Sequence, residues 1–320
     1  MIPVYIVVFE DVLLLDLTGI AEPLRLANEW AAEAGRPLPF DLHFTGPEDR
    51  ARCSLGLDLQ NIAPLPDTLP AGSWLIVPGA AQSRESYAGE RAQKLVAWLA
   101  RVGGAAAWRM TVCSGALLAG RAGWLDGRSC TTHHDLIDRL RHSCPAAKVV
   151  DNRIYVVDRG VATSAGITAG IDLALWAIGE VLGPQGALAV AREMVVFARR
   201  AGADPQLSPW LANRGHLHPA VHKVQDALAA APAEDWPLPR MAALAHTSER
   251  HLSRLFAEHA GITPLHYLQQ LRLALAEKLL ADPQRSVENV ADAVGFGSAH
   301  HLRRIFKQAK GATPRRYSAE

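Results

Sequence analysis

The chain has 320 residues, 49% of them hydrophobic and 20% charged, with a formal net charge of +1. This length is too great for one ordinary hydrophobic core, so we expect a globular protein of two domains. The total charge says nothing about nucleic acid, but its distribution is uneven: residues 1–212 carry 19 basic and 22 acidic side chains (−3), and residues 213–320 carry 14 and 10 (+4). A mildly acidic domain joined to a mildly basic one fits a sensor fused to a DNA-binding domain.

Cysteine spacing and the N-terminal segment indicate the class of site and the compartment. The four cysteines, Cys53, Cys113, Cys130 and Cys144, form no C-x-x-C pair and no metal-ligand spacing, so we expect no metal and no cofactor. The N-terminus lacks the basic start and the cleavage site of a signal peptide. Its apolar run Ile2–Phe9 is far shorter than the ~20 residues of a membrane span. We therefore expect a cytoplasmic protein with reduced thiols and no membrane partner.

Residues 1–190 alternate between strand and helix patterns, which predicts a mostly parallel sheet flanked by helices. The predicted strands are Val4–Phe9, Trp74–Val77, Ala105–Val112 and a hairpin of Arg153–Asp158 with Val161–Ser164; the predicted helices are Ala21–Ala34, Arg91–Arg101, Ala116–Ala122 and a long one from about Ile167 to Leu182. We assign 1–190 to a ligand-sensing domain and 191–215 to a linker, because a Gly/Pro/polar stretch follows an amphipathic helix there.

The junction Cys113-Ser114-Gly115 is the part of this domain that suggests chemistry, because it turns from a strand directly into an apolar helix. A nucleophile elbow places a side chain at such a turn, and the helix N-terminus behind it favours anions and a lowered thiol pKa. Three interpretations of Cys113 stay open: a pocket residue that contacts an effector, an inert remnant of an enzymatic ancestor, and an active nucleophile or redox sensor.

Several motifs of the N-terminal domain resemble the ThiJ/PfpI branch of the class I glutamine amidotransferase-like superfamily. They are Asp16-Leu-Thr-Gly19, Glu22, Val77-Pro78-Gly79, Val112-Cys113-Ser-Gly115-Ala, Gly123-Trp-Leu-Asp126-Gly127-Arg, Thr131-Thr132-His133 and Thr163-Ser164-Ala-Gly166-Ile-x-x-Gly170-Ile-Asp172. The resemblance implies a flavodoxin-like α/β sandwich. It also implies an effector pocket where Glu22, Cys113, Ser114 and His133 meet, with the glutamate sharing a proton with the cysteine.

Two departures from the family pattern argue against an enzyme. Protease-like members have a histidine next to the cysteine, where this chain has Ser114, and regulator-type members often have tryptophan at the position of His134. Without the adjacent histidine, the general base that nucleophilic catalysis requires is in doubt. We therefore predict no catalytic residues.

The C-terminal third repeats itself at an offset of fifty residues. Seven residue types recur in register, as Ser248, Leu252, Phe256, Gly261, Thr263, Pro264 and Tyr267 in the first copy and Ser298, Leu302, Phe306, Gly311, Thr313, Pro314 and Tyr317 in the second. Each copy has an apolar helical face, and shorter helical patterns precede the copies at Arg240–Ala245 and Val287–Val294. The pattern predicts an all-α domain over 216–320 with helix-turn-helix units at about 238–258 and 287–309.

Local signals refine this domain. Ser248 and Ser298 are placed to cap the second helix of each unit, and Gly295-Phe296-Gly297 makes a sharp turn in the second unit. His246 occupies the matching turn position of the first unit, where a left-handed conformation is strained. His251 and His301 are interpreted as packing or capping side chains. A long helix, Pro264–Ala281, separates the units, and its predicted inner stripe is Leu268, Leu271, Leu275 and Leu279.

Residues 220–320 resemble the AraC/XylS DNA-binding domain, as in Val290-Ala291-Asp-Ala-Val-Gly295-Phe296-Gly-Ser298-x-x-His301-Leu302-x-Arg304-x-Phe306-Lys307. The resemblance implies double-stranded DNA as the partner. It assigns base reading to Arg250, Ser253 and Arg254 in the first unit and to Ala299, His300, Arg303 and Arg304 in the second. Arginine suits guanine, because its fork can bond O6 and N7 together. Lys307, Lys310, Arg315 and Arg316 are interpreted as phosphate contacts.

Together these features predict a transcription regulator, an activator by family habit, that responds to a small metabolite such as an amino acid or a quaternary amine. A homodimer and a contact with RNA polymerase are expected from the same resemblance. Two alternatives remain: a cysteine-dependent enzyme of the amidase, hydratase or deglycase kind, and a redox sensor that uses Cys113.

Overall fold

The computed structural model describes residues 1–81, 87–196, 200–206, 208, 210, 212–280, 282, 284–310, 313 and 314. The chain forms two compact units, Met1–Gln206 and Leu207–Glu320. Each unit has hydrophobic clusters of its own.

A seven-stranded sheet forms the centre of the N-terminal unit, with the strand order β10-β11-β7-β6-β1-β2-β5. All neighbours in it are parallel except β10 and β11, which form the predicted hairpin. The strands of this unit are β1 (Ile2–Val7), β2 (Phe40–Gly46), β3 (Arg50–Arg52), β4 (Asp58–Gln60), β5 (Ala63–Pro64), β6 (Trp74–Val77), β7 (Trp108–Val112), β8 (Ser129–Cys130), β9 (Lys148–Val149), β10 (Tyr155–Asp158) and β11 (Val161–Ser164). Every residue of β6 is buried, as expected for a parallel strand covered on both faces.

Helices cover both faces of the sheet, which makes a three-layer α/β sandwich. The helices of this unit are α1 (Leu14–Glu33), α2 (Gly89–Val102), α3 (Gly115–Arg121), α4 (Ile137–Ser143) and α5 (Ala169–Glu193). On one face α1 and α5 pack together through side chains such as Ile20 and Ile178. On the other face α2 and α3 pack through residues such as Leu99 and Leu118.

The long helix α5 is interrupted at Gly183, which has a φ of 74°. Among the described helices, only α5 is long and apolar enough to cross a membrane by length and composition. Its residues Leu173, Leu175 and Ile178 are fully buried in the N-terminal core. These side chains therefore belong to a core helix of the α/β unit.

Helix α1 begins seven residues before the predicted start at Ala21. The backbone N–H of Leu13 donates to the carbonyl of Gly79, and the N–H of Leu14 donates to Ser54 Oγ at 3.2 Å. These long-range bonds satisfy N–H groups at the start of the helix without a local capping residue. The prediction therefore missed the segment that contains Asp16.

The C-terminal unit is helical in its described part. Its helices are α6 (Pro219–Ala230), α7 (Leu238–Leu244), α8 (Glu249–Ala260), α9 (Pro264–Leu280), α10 (Val287–Ala293) and α11 (Ala299–Lys310). Pairs α7–α8 and α10–α11 form the two helix-turn-helix units. Ser248 Oγ accepts the N–H of His251, and Ser298 Oγ accepts the N–H of His301, so both predicted caps form. His246 has a φ of 52° and is left-handed like Gly295 at 81°, so the first turn adopts this conformation despite its strain for a residue with a side chain.

The predicted inner stripe of α9 is only half right. Leu268 and Leu271 are buried with the first helix-turn-helix unit, but Leu275 and Leu279 are only partly buried. The second unit instead buries Ala276 and Leu280. A single apolar face of α9 does not pack against both cores, because different residues of the helix are buried in each of the two clusters. Helix α9 therefore connects the two helix-turn-helix units at a fixed separation.

Candidate functional site

The turn between β7 and α3 has the elbow geometry that the sequence indicates. Cys113 has a φ of 54°, a left-handed conformation that is strained for a residue with a side chain. Glycines allow the backbone to close around it. A Cβ on Gly166 would lie 2.1 Å from the Cys113 Cβ, and one on Gly115 would lie 2.1 Å from the Val77 carbonyl oxygen. The elbow is thus enclosed on two sides by positions that accept no side chain.

The acidic partner of Cys113 is Asp16, and the prediction that Glu22 fills this role is wrong. Asp16 is fully buried; its Oδ1 accepts the N–H of Ile167 at 2.6 Å and its Oδ2 accepts that of Gly79 at 3.1 Å. Glu22 is exposed and pairs with Arg25 at 2.7 Å. The two acids are six residues apart on α1, about 240° around the helix, so they occupy different faces.

Burial dominates the titration of this pair. The pKa of Asp16 is raised from 3.8 to about 6, chiefly by burial and against the two backbone hydrogen bonds. Burial, and next the negative charge of Asp16, raise the pKa of the Cys113 thiol well above its usual range. Cys113 is 6% exposed. At neutral pH it is therefore a protonated, enclosed thiol, which is a poor nucleophile.

Ser114 and His133 lie on two sides of the elbow. Ser114 Oγ accepts the N–H of Ala80 at 2.9 Å and hydrogen-bonds to the Tyr87 hydroxyl at 3.0 Å. The Oγ1 of Thr132, the residue before His133, donates to the Cys113 carbonyl oxygen at 2.7 Å. The side chain of His133 is 29% exposed. Within the described residues no hydrogen bond joins His133 to Cys113; the thiol is hydrogen-bonded to the Asp16 carboxyl instead.

One group of neighbouring side chains could supply metal ligands. Among the described residues, His133, His134 and Asp135 present ligand atoms within 4.8 Å of one another. The pKa of His133 is lowered by burial and then by His134, which favours the neutral imidazole that metals require. Asp135 is 73% exposed and approaches His134 at 3.0 Å. The sequence-based prediction of no metal stays a prediction.

Residues 200–206, here called the joint segment, hydrogen-bond to the start of α5 and to Thr132, which contacts the elbow. The Arg200 guanidinium donates to Asp172 Oδ2 through Nε at 2.9 Å and Nη2 at 2.6 Å, and its backbone N–H donates to Asp172 Oδ1. Asp172 lies in the first turn of α5, shortly after Gly166 and Ile167. Gln206 Nε2 donates to the Thr132 carbonyl oxygen at 2.8 Å. The sequence analysis predicts a linker over 191–215 but none of these contacts.

Helix α8 presents the predicted base-reading residues of the first unit. Arg250 and Arg254 are exposed, while Leu252 and Phe256 on the opposite face are fully buried. Arg254 Nη2 lies 3.0 Å from His251 Nδ1. Ser253 Oγ donates to the Glu249 carbonyl oxygen within the helix, so its hydroxyl is engaged. The helix therefore offers two arginine side chains to a partner.

Helix α11 presents the matching surface of the second unit. His300, Arg304 and Lys307 are exposed, and Ala299 is half-buried. Arg303 pairs with Glu288 of α10 at 2.5 Å, which engages a predicted base-reading side chain within the protein. The predicted phosphate contacts Arg315 and Arg316 lie outside the described residues. Arg304 is therefore the arginine of α11 best placed to meet a base.

Comparison with known families divides the chain in the same way. Residues 42–180 match the DJ-1/PfpI family, and residues 241–320 match a helix-turn-helix domain family. The first range begins within β2 and ends within α5, so it includes the elbow. The second begins within α7 and continues through the second helix-turn-helix unit.

Proteins similar to this chain include named transcriptional regulators. The HTH-type transcriptional regulator GbdR of Pseudomonas aeruginosa is 31% identical over 304 residues, which cover 94% of this chain and 80% of that protein. The regulator GlxA of Rhizobium meliloti is 34% identical over 203 residues, or 63% of this chain and 62% of that protein. An AraC family transcriptional regulator from Pseudomonas putida has a similar fold, with a TM-score of 0.51 at 21% identity over 61% of this chain and 100% of its own.

Proposed function

The chain belongs to the AraC-type helix-turn-helix transcriptional regulators that carry an N-terminal DJ-1/PfpI domain and is a sequence-specific DNA-binding transcription regulator, and on this premise we propose that it is an activator controlled by a small metabolite. In the proposal, the metabolite binds in the α/β unit and changes how the helix-turn-helix units bind DNA. Such control is a shift between pre-existing states that bind DNA unequally.

The observation that carries the DNA-binding part is the duplicated unit with a capped, arginine-bearing second helix in each copy. The caps formed by Ser248 and Ser298 fix where α8 and α11 begin. The exposed side chains of Arg254 and Arg304 lie opposite the buried Phe256 and Phe306. We propose that these arginines bond guanine edges in successive major-groove segments, roughly 34 Å apart.

The joint segment supports the control part. Arg200 contacts the first turn of α5, and Gln206 contacts the carbonyl of Thr132, whose hydroxyl contacts Cys113. A change at the elbow therefore alters the hydrogen bonds of the segment that leads to the DNA-binding unit. We propose that Cys113, Ser114 and His133 sense the bound effector through this network.

We propose that the protein is not an enzyme, because the elbow lacks what catalysis by a thiol requires. The relatives described above are named transcriptional regulators, although DJ-1/PfpI folds also include enzymes. Burial and Asp16 keep the Cys113 thiol protonated, and His133 forms no hydrogen bond with it among the described residues. An amidase-like function needs the opposite arrangement.

The remaining parts of the proposal concern assembly and location. We propose a homodimer that acts in the cytoplasm and contacts RNA polymerase when bound at a promoter. Two copies of a paired reader would extend the DNA site and increase the number of phosphate contacts. Affinity for DNA would then fall with salt in proportion to those contacts.

The test is the capture of genomic DNA fragments by the purified full chain, followed by sequencing. We expect enriched sites that share a motif with two half-elements about one helical turn apart. The double variant Arg254→Ala/Arg304→Ala is the matched control, and it should lose the enrichment while it stays folded. Salt-sensitive, sequence-independent capture by the unchanged chain would contradict the proposal.

A further inference from the structure

We propose that the C-terminal unit binds one divalent transition metal ion through imidazole side chains, and that this ion fastens residues 213–218, here called the entry segment, to helix α8. The ligands are four histidines that the fold brings together: His216, His218, His222 and His259. The site lies in the DNA-binding unit and the elbow lies in the other unit, so this inference goes beyond the proposed function. The prediction of no metal considered the spacing of cysteines, whereas residues 216–222 contain the histidine spacing H-x-H-x-x-x-H.

The four imidazole rings form one continuous series of contacts. The ring centroids of His216 and His222 are 4.4 Å apart, and those of His218 and His259 are 4.5 Å apart. A distance of 6.2 Å between the centroids of His216 and His259 joins the two pairs. The rings come from the entry segment, from the start of α6 and from the last turn of α8. Three parts of the fold therefore place their histidines in one group.

His222 already has the arrangement of a metal ligand. Its Nε2 donates to the carbonyl oxygen of His216, which in a neutral ring leaves the free lone pair on Nδ1. Metal-binding histidines almost always donate their other ring N–H to a backbone carbonyl, a carboxylate or water, because that bond fixes the tautomer and the orientation of the ring. The backbone of the entry segment thus determines which nitrogen of His222 would bind the ion.

His216 and His218 present the same nitrogen. Nδ1 of His216 accepts the N–H of His218 at 3.3 Å, and Nδ1 of His218 accepts the N–H of Val221 at 3.4 Å. A ring nitrogen that accepts carries no proton, so both side chains are neutral imidazoles, the form that binds metals. Both bonds are longer than the usual range of about 2.7–3.2 Å, so an ion that takes the place of the N–H group displaces only a weak interaction.

The second ring nitrogen of His216 has an acceptor close by. His216 Nε2 is buried and has no hydrogen-bond partner among the described residues. Gln225 lies beside this ring and is fully buried, and its Oε1 is likewise without a partner in the described part of the chain. A rotation that turns Nδ1 of His216 toward an ion can bring Nε2–H to Gln225 Oε1. Ligation would then satisfy two buried polar atoms and give His216 the outer hydrogen bond that metal-binding histidines have.

The rings have to turn before three nitrogens surround one point. Among the described residues, three ligand atoms lie within 4.8 Å of one another only at His133, His134 and Asp135. Rotation is cheap in the histidine group, because two of its hydrogen bonds are long and the ring of His259 forms none with the described residues.

The composition of the group selects the kind of ion. The ring contacts involve imidazoles alone, and the carboxylate of Asp226 on α6 is paired with Arg214. Neutral imidazole nitrogens suit Zn²⁺, Ni²⁺ and Cu²⁺, whereas Mg²⁺ prefers oxygen ligands. We therefore expect an ion of the first kind.

An ion in this position would strengthen an attachment that already exists. Asn213 Nδ2 donates to the carbonyl oxygen of Ala260, the last residue of α8, at 3.0 Å. An ion shared by His218 and His259 would add a second connection between the entry segment and the same end of α8. It would thus hold the helix that carries the arginines proposed to read bases against the chain that arrives from the α/β unit.

The probe is Zn²⁺, titrated by calorimetry into the full chain without an affinity tag, with Mg²⁺ as the comparison. We expect a single Zn²⁺ per chain, a higher Tm with Zn²⁺, and no binding of Mg²⁺. His259→Ala and His218→Asn should each weaken Zn²⁺ binding about tenfold or more, because even the partner behind a metal ligand is worth roughly 10- to 100-fold. Asparagine can still cap α6, so the second variant removes the imidazole and keeps the helix start. Hydrogen exchange in residues 213–218 should slow with Zn²⁺ in the unchanged chain and not in His259→Ala.

Two control variants separate this site from other histidines. His266→Ala, at an exposed position of α9, should bind Zn²⁺ like the unchanged chain, and so should the double variant His133→Ala/His134→Ala. Absence of Zn²⁺ binding, or undiminished binding by both His259→Ala and His218→Asn, would overturn the proposed site. Loss of binding in the double variant would place the ion beside the elbow instead. Binding at the histidine group without slower exchange in the entry segment would overturn the fastening role.

Discussion

Gln206, the last residue of the N-terminal unit, donates a side-chain hydrogen bond to the carbonyl oxygen of Thr132 at 2.8 Å. Thr132 is fully buried and bonds the Cys113 carbonyl through its hydroxyl. Two hydrogen bonds thus separate the strained elbow from the residue where the chain leaves the α/β unit. These two bonds are the route by which we propose that an effector response leaves the elbow.

Gln206→Ala should loosen the joint segment. The change leaves a buried carbonyl without its donor, which costs about 1–2 kcal/mol and corresponds to roughly 5- to 30-fold faster opening. We expect faster hydrogen exchange at the backbone amides of Arg200, Ala201, Asp204 and Gln206, all of which now form hydrogen bonds. Peptide-resolved exchange on the full chain measures this.

The matched control for that experiment is Gln93→Ala, at an exposed position of α2. It should leave exchange in residues 200–206 at the rate of the unchanged chain. Equal exchange in the chain with Gln206→Ala would show that the other contacts of the segment, such as Arg200 with Asp172 and Asp204 with Ile154, hold it without the Gln206 side chain. The coupling route through Thr132 would then be wrong.

Asp16→Asn should remove a pH dependence of stability. The folded chain raises the pKa of Asp16 from 3.8 to about 6, so between about pH 4 and 6 the folded state binds more protons than the unfolded state. The free energy of unfolding therefore falls as the pH rises through this window, and the contribution of Asp16 is constant above it. The size is about 3 kcal/mol, from a shift of about two units.

Thermal unfolding at several pH values tests this prediction, as the difference in free energy of unfolding between the unchanged chain and Asp16→Asn. The Asn side chain cannot accept both backbone N–H groups, so the variant should be less stable at every pH, but the gap should narrow as the pH rises from 4 to 6. Asp135→Asn, at a 73% exposed carboxylate, should retain the original pH dependence. Parallel curves for the unchanged chain and Asp16→Asn would show that Asp16 titrates normally.

The thiol of Cys113 should resist modification while the chain is folded. All four cysteines are free and buried, and burial raises the pKa of Cys113, Cys130 and Cys144. Alkylation follows the thiolate fraction and exposure. We expect no carboxamidomethyl group and no oxidation at Cys113 after treatment with iodoacetamide or peroxide, and four modified cysteines after iodoacetamide in urea. Mass spectrometry of proteolytic peptides reads both results.

Experiments on Cys113 also distinguish the regulator function from the enzyme and redox-sensor hypotheses. Cys113→Ala should preserve DNA binding and its specificity, because the thiol lies in the N-terminal unit and the arginines proposed to read bases lie in the other. Rapid alkylation of Cys113 in the folded chain would restore the nucleophile hypothesis. A mass gain with peroxide, together with a change in DNA affinity, would restore the redox hypothesis.

Features that depend on local pattern could be predicted from the sequence. Contacts between residues far apart in the chain could not. The elbow at Cys113, the hairpin and the two helix-turn-helix units follow from periodicity, capping and the repeat. Asp16 could have been found, because it shares a helical face with Ile20 and Leu24, whereas Glu22 shares one with the exposed Arg25. That face was hidden by placing the start of α1 too late.

Other contacts had no local signal. Gln206 and Thr132 are 74 residues apart, and Arg200 and Asp172 are 28 apart, in segments with no shared periodicity. Arg303 and Glu288 are 15 residues apart on two helices, so a helical wheel of α11 alone counts Arg303 as a free base reader. Which side chain pairs within the protein depends on how the helices pack.

The ion pair of Arg303 with Glu288 leads to a prediction about the three arginines of α8 and α11 that we propose to contact DNA. Arg254→Ala and Arg304→Ala should each reduce binding to specific sites by about 1–3 kcal/mol and relax the preference at one base pair, as expected when an arginine bonds a guanine. Arg303→Ala should reduce the binding free energy by less, because Arg303 must first break its ion pair with Glu288 to reach DNA.

Lys307→Ala should weaken binding to specific and to random DNA alike and should reduce the salt dependence, because a phosphate contact carries no sequence information. Fluorescence anisotropy on a captured site and on scrambled DNA, each at several salt concentrations, separates these effects. Equal losses on both DNAs for Arg254→Ala and Arg304→Ala would show that α8 and α11 bind the backbone and do not read bases.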